Sequence, residues 1–305
     1  MRLVPSVEQR AFAAALHELL TKADLATISA AWADGDTGPG RRLWAAFGDL
    51  GVTGLMIDGG PDDLVVAAEE LGHHAVPGPV AESIAAAPLL AGEDLLPELA
   101  AGRIIVSLAV PPWLPLAADG DSADLILHVT DAGIRAAEPG AVHRSLHPAR
   151  RLAEVRPGAL LATGRPVRRA LELGVLACAA QLLGAGRALL ETSVEYARTR
   201  TQFGTPIGSF QAVQHRLADV SVALTFARPL LHAAAVTLRT EDVSAAKVAC
   251  GEAAVLAARA ALQVHGAIGY TRELDLNRWL TLVPVLHRSW GTAGQHRDRI
   301  LQEIR

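Results

Sequence analysis

Only two of the 305 residues are cysteines, Cys178 and Cys250, which excludes a disulfide framework and a cysteine-based zinc site. Both lie in Ala-rich apolar stretches, where a thiol behaves as a small hydrophobe, so they read as buried structural thiols. Neither sign of charge dominates: Lys plus Arg number 28 and Asp plus Glu 32, a balance of −4. That balance argues against a nucleic-acid surface. The pairs Arg41-Arg42, Arg150-Arg151 and Arg168-Arg169 are scattered and read as solvated charge rather than a phosphate track. No apolar run reaches about 18 residues without a charge or a Gly/Pro break, so none reads as a membrane span. The N-terminal stretch carries Glu8, Arg10, His17 and Glu18 within its apolar run, which is no secretory h-region. No metal site and no repeat of fixed period is visible, and the expected compartment is the cytoplasm.

What is present is a globular composition, 20% charged and 50% hydrophobic, in a chain long enough for two or three layers around one core. About the first hundred residues (1–101) read as a helical domain. Ser6 is placed as an N-cap for VEQRAFAAALHELLTKA, whose Phe12, Leu16, Leu19 and Leu20 share a face. GRRLWAAFGDLGVTGLMI gives a second helix. PDDLVVAAEELGHH gives a third, with Pro61 at its start and Gly72 as a stop. Pro77, Gly78 and Pro79 then force a bend before a short Ala-rich helix. From 102 to 164 the texture changes to short apolar or alternating segments broken by Gly, Pro and Asp, which predicts a small, mostly antiparallel sheet domain.

From 165 to 305 the pattern is helical again and predicts a C-terminal four-helix bundle. Leu171, Val175, Cys178, Leu182, Ala185 and Leu189 make one stripe, and Phe210, Val213, Leu217, Val220 and Leu224 make another. The segment DVSAAKVACGEAAVLAARAALQVHG is so rich in alanine that neighbouring helices can approach closely. Between the stripes, YARTRTQFGTPIGSFQ breaks the helix with Gly204, Pro206 and Gly208. It offers an Arg, an amide, a ring and free backbone N–H groups, a set suited to a pyrophosphate. On residue type alone, an ordinary interhelical turn with a surface Arg is the better reading.

A second stretch, QVHGAIGYTRE, tips the balance. The first stretch meets the motif Y-A-x-x-R-x-Q-F-G-x-x-I-x-x-F-Q at Tyr196, Ala197, Arg200, Gln202, Phe203, Gly204, Ile207, Phe210 and Gln211. The second meets Q-x-H-G-G-x-G-Y-T-x-E at Gln263, His265, Gly266, Gly269, Tyr270, Thr271 and Glu273, with Ala267 in place of the second Gly. In this order and separation the two resemble the acyl-CoA dehydrogenase family, and LWAAFGDLGVTGLMI and VVAAEELGHHAVPGPV are similar to its first-domain helices. The resemblance implies FAD as cofactor and α,β-dehydrogenation of an acyl-CoA thioester. By it, Arg200 and Gln202 serve the FAD pyrophosphate, Phe203, Phe210 and Gln211 lie toward its adenosine side, and Gln263, Val264, Gly266 and Ala267 contact an FAD across a subunit interface. Oligomerisation is therefore implied, with a homologous subunit or with a second copy.

One family element is missing. The usual base is a Glu that takes the α proton while the β hydrogen leaves as hydride to the flavin, and its place here is Trp290, followed by Gly291 and Thr292. The alternative early position on the first bundle helix is Gly174, with Val175 beside it. Glu172 is a weak candidate base, since two residues along a helix turn it about 200° away from Gly174. The T-E-P-x-A-G-S-D loop and W-I-T/S-N strand that flank the flavin in typical members are also missing, and Trp113 reads as a packed or rim aromatic. These departures resemble the base-lacking half of heterotetrameric acyl-CoA dehydrogenases, notably those for steroid side chains. In that half His287, Arg288, His296 and Arg297 are structural or interface groups. The alternatives are a self-sufficient enzyme using Glu172 and a regulatory or scaffold protein without flavin.

Overall fold

A computed structural model describes residues 3–271 and 274–304. The chain begins with α1 (Val7–Lys22), α2 (Leu25–Asp34), α3 (Gly38–Asp49), a one-turn α4 (Leu55–Asp58) and α5 (Pro61–His73). The Ser6 hydroxyl accepts from the Gln9 backbone at 3.2 Å, and the Gln9 side chain accepts from the Ser6 N–H at 2.9 Å. This reciprocal capping box fixes where α1 starts. α2 has no counterpart among the helices expected from sequence. Its two ends are nevertheless marked, by Asp24 accepting from the Thr27 N–H and by Gly35 in the left-handed conformation (φ 89°).

Gly72 does not stop α5, which continues to His73 with His74 as its cap. A methyl at Gly72 would lie 2.1 Å from the Gln181 carbonyl oxygen, and one at Gly184 would lie 1.9 Å from the Glu69 carbonyl oxygen. These two glycines let α5 press its backbone against α8 (Val167–Thr199), and close approach is their purpose. After the bend at residues 77–79 the chain makes a π-helical turn, Ala81–Ala86, running into α6 (Ala87–Leu90), and a short α7 (Leu96–Ala100).

The main sheet has the order β1-β3-β4-β5-β2, formed by β1 (Val106–Ala109), β2 (Ala117–Ala118), β3 (Leu125–Thr130), β4 (Gly133–Arg144) and β5 (Arg151–Ala162). Only β1 and β3 run parallel; the other pairs are antiparallel. A buried ion pair, Arg150 to Glu82 at 3.0 Å, ties the start of β5 to the π-helical turn.

The C-terminal helices are α8, α9 (Gln211–Thr237), α10 (Thr240–His265), α11 (Leu276–Arg288) and α12 (Ala293–Glu303). Between α8 and α9 lie the short strands β6 (Thr201–Gln202) and β7 (Thr205–Pro206). α8 is buried on every face from Leu173 to Gly186, so it is the central helix of the molecule rather than a one-stripe amphipath. Cys178 and Cys250 are both fully buried, and burial pushes both thiols up, Cys250 beyond the ordinary thiol range. α8 and α9 are long and apolar enough to cross a membrane, but the most apolar window of α8 is 89% buried in the protein. That of α9 is only 39% buried. Val222, Phe226 and Leu230 form an exposed i, i+4, i+8 row along it, a face that wants a partner.

Candidate functional site

The polar break between α8 and α9 is a tight hairpin. Phe203 and Gly204 form its two-residue turn with φ 54° and 81°, and Thr201↔Pro206 and Gln202↔Thr205 pair across it. Two positive φ angles in a row are what such a turn demands, so Gly204 is placed for its backbone. The turn leaves Phe203 92% exposed, with its ring edge-on to Phe210 at 6.2 Å. Arg200, Gln202 and Gln211 are also exposed. Among the described residues, the side chains of Arg200 and Gln202 have no hydrogen-bond or ion-pair partner. A cation, an amide and a ring held out by a rigid turn, unspent within their own chain, fit the phosphates and flat base of a dinucleotide such as FAD.

The second stretch ends α10. His265 is buried and its Nδ1–H donates to the Ala261 carbonyl at 2.8 Å. Gly266 takes φ 61°, and Gln263, Gly266 and Ala267 are exposed while Val264 is buried. The Tyr196 ring stacks on His265 with centroids 4.3 Å apart, so the two motifs, some seventy residues apart in sequence, are anchored to each other. Glu273 lies outside the described residues.

The two places where a base was expected are in contact. A methyl at Gly174 would lie 2.2 Å from Cη2 of Trp290, so the indole lies flush against the bare backbone of α8. Trp290 is 1% exposed, has φ 60°, and its buried Nε1 has no partner among the described residues. The turn that carries it is held by His296, whose Nε2–H donates to the Trp290 carbonyl at 2.9 Å while Nδ1 accepts from the Ser244 hydroxyl at 3.1 Å. Burial lowers the His296 imidazole to about 4, so the ring is neutral, as that pairing requires.

Trp113 closes the other side. A methyl at Gly291 (φ 95°) would lie 2.5 Å from the Trp113 ring, the ring lies 5.8 Å from His296, and the Arg299 guanidinium sits over it at 5.0 Å. The sequence pattern gave no signal for this role, because Trp113 comes from the β1–β2 connection and reaches the site only through the fold. Glu172 is 3% exposed. Its Oε1 is bound by the Arg299 guanidinium and by the Thr240 hydroxyl, 3.0 Å away, so the carboxylate is engaged within the chain. Arg297 pairs with Glu252.

Comparison with known proteins accords with this geometry. Residues 165–304 match the family model "Acyl-CoA dehydrogenase, C-terminal domain". The chain is 31% identical over 294 residues to the acyl-CoA dehydrogenase IpdE2 of Mycobacterium tuberculosis, covering 90% of each. It superposes with a TM-score of 0.84 and 21% identity on a glutaryl-CoA dehydrogenase from Mycobacterium smegmatis in complex with FADH2, over 99% of this chain and 95% of that one. On a variant of the Tcur3481-Tcur3483 steroid ACAD the TM-score is 0.83 and the identity 21%, over 97% of each chain. By these relations the chain belongs to the acyl-CoA dehydrogenase family, whose members bind FAD.

Proposed function

We propose that this chain is a flavoprotein subunit of an acyl-CoA dehydrogenase that supplies no base of its own and works beside a homologous, base-bearing subunit. The observation that carries the proposal is the Trp290 indole against Gly174, which fills both positions where the family's carboxylate would stand. FAD, when bound, supplies the acceptor for the substrate's β hydrogen. Arg200 and Gln202 hold its pyrophosphate, Phe203, Phe210 and Gln211 lie toward the adenosine, and the Gln263–Ala267 turn meets an FAD across the interface. Trp290, Trp113 and neutral His296 exclude water from the space they fill and move no proton.

The substrate class is a CoA thioester. Within this reading the acyl group is bulky and of the steroid-side-chain type; one structural neighbour is the Tcur3481-Tcur3483 steroid ACAD. The three-part division at 101/102 and 164/165, the cytoplasmic location and the absence of a membrane or nucleic-acid partner belong to the same reading. A self-sufficient enzyme using Glu172 is disfavoured by the Arg299 ion pair. A flavin-free scaffold is disfavoured by the exposed Arg200 and Gln202, which are unpaired among the described residues.

The uncovered row Val222-Phe226-Leu230 and the solvent-facing hairpin call for an oligomer, with an interface burying well above about 1,000 Å². Light scattering at micromolar concentration is expected to show a dimer or tetramer, with the chain alone or with its homologous subunit. A monomer in both preparations contradicts the proposal.

A further inference from the structure

α1 and the end of α5 bring three imidazoles and a carboxylate together. Glu70, His73 and His74 follow each other at i, i+3 and i+4, which places them on one side of α5's last turn, and His17 of α1 faces them. Taking one ligand atom from each side chain, the atoms of His17, Glu70, His73 and His74 all lie within 4.8 Å of one another. Two of the edges are 2.9 Å (His17 Nδ1 to Glu70 Oε2) and 3.0 Å (His74 Nε2 to His17 Nδ1). Bonds of about 2.0–2.1 Å in a tetrahedron give ligand edges of about 3.3 Å, so these two edges would open by a few tenths of an ångström while any edge nearer the 4.8 Å limit would close around an ion.

Proton counting shows that the cluster is poorly served by hydrogen bonds alone. His17 Nδ1 faces both a carboxylate oxygen and the Nε2 of a second imidazole. If it carries a hydrogen, that hydrogen can point at only one of them. If it carries a lone pair, the pair points at the carboxylate. His73 gives its Nε2 to Glu191 at 2.8 Å, which leaves its Nδ1 buried with no partner among the described residues. An imidazole oriented by a carboxylate on one nitrogen, with the other nitrogen free, is the usual dress of a metal-bound histidine.

The surrounding charge tolerates a cation. Arg187 binds Glu70 at 2.7 Å and Glu69 at 2.9 Å and lies 3.5 Å from Glu191, and Arg228 binds Glu69 at 2.5 Å. Three carboxylates face two guanidiniums, so one negative charge is left for an incoming ion. Imidazole with one carboxylate suits a borderline divalent ion rather than magnesium or calcium.

We propose that His17, Glu70, His73 and His74 form a binding site for a zinc-type divalent transition-metal ion that clasps α1 to α5, with Glu191 of α8 orienting His73. The site is separate from the flavin machinery and does not depend on the function proposed above.

The test uses the full-length protein, stripped with EDTA and dialysed, then titrated with zinc chloride at pH 7.5 by calorimetry and followed by thermal unfolding. One zinc ion per chain with a dissociation constant near or below ~1 µM, and a rise in Tm, are expected. His17→Ala, at a half-exposed position the fold can spare, is expected to weaken binding by about tenfold or more, and so is His74→Ala. His143→Ala, at an exposed histidine paired with Glu154 elsewhere in the protein, is expected to bind as wild type. Absence of binding below ~100 µM, or binding as tight in both the His17→Ala and His74→Ala variants as in wild type, overturns the proposal.

Discussion

Trp290 and Gly174 can be tested as a pair, because each limits what the other position can hold. Removing a buried indole withdraws roughly 150–250 Å² from the core, worth at most about 4–6 kcal/mol at 25 cal/mol/Å². Measured Trp→Ala costs run about 3–5 kcal/mol. Part of that is returned, since Nε1 is buried without a partner and such a donor costs about 1–3 kcal/mol. Trp290→Ala is therefore expected to lose about 1–3 kcal/mol. Gly174→Ala behaves differently in the two backgrounds. In wild type the added methyl meets the indole at 2.2 Å, an overpacking worth about 1–3 kcal/mol of destabilisation. With the indole gone, only the helix propensity of alanine over glycine remains, about 1 kcal/mol in the stabilising direction. That propensity also acts in wild type, so Gly174→Ala should cost about 0–2 kcal/mol there and gain about 1 kcal/mol in Trp290→Ala, a coupling of about 1–3 kcal/mol. Urea unfolding of the four proteins at one fixed concentration, followed by far-UV circular dichroism, reads this coupling directly. An equal effect of Gly174→Ala in both backgrounds would show that the two residues do not touch and would remove the basis for placing Trp290 in the base's position.

Arg200→Ala removes a charge-assisted contact and is expected to weaken FAD retention by about 1.5–3 kcal/mol, read as the flavin-to-protein absorbance ratio after gel filtration. Unchanged flavin content would reduce Arg200 to a surface turn residue. Stability should fall on acidification between about pH 6.5 and pH 4. His147 and His296 are both lowered by burial to about 4. The unfolded chain therefore takes up protons first and is favoured as pH falls, while the neutral-ring stability is fully present above pH 6.5. Asp119, raised by burial to about 6, acts in the opposite direction over part of that window. His296→Gln is expected to flatten the fall in urea midpoint between those pH values, and a slope equal to wild type would contradict the neutral-ring reading.

Much of the architecture was legible because it rests on local signals. The Ser6 cap, the Gly/Pro punctuation around residues 77–79 and the short alternating segments of the sheet each follow from near neighbours in sequence. The exposed hairpin was legible for the same reason, since Phe203-Gly204 and the Arg and Gln beside it lie within a few residues. What stayed hidden depends on close approach between distant segments. Gly72 has the look of a helix stop, yet its missing side chain serves the backbone of Gln181. α8 shows one clear stripe, yet it is buried all round because α5, α10, α11 and the π-helical turn cover its other faces. Trp113 could not be joined to Trp290 from sequence, because they lie 177 positions apart with most of the sheet between them. Glu172 was legible as a carboxylate near Gly174, but its pairing with Arg299 of the last helix was not.

The central claim is that this chain holds flavin and substrate without removing the α proton itself. Its most direct measurement is acyl-CoA oxidation with an artificial electron acceptor, by the isolated chain and by its complex with a homologous subunit. A positioned base is worth about 10²- to 10⁴-fold. The isolated chain is accordingly expected to show no turnover with straight-chain or steroid-type thioesters. The complex is expected to turn over and to lose activity when the partner's Glu is replaced, and Trp290→Glu alone is not expected to restore it. Turnover by the isolated chain that disappears with Glu172→Gln would contradict the account.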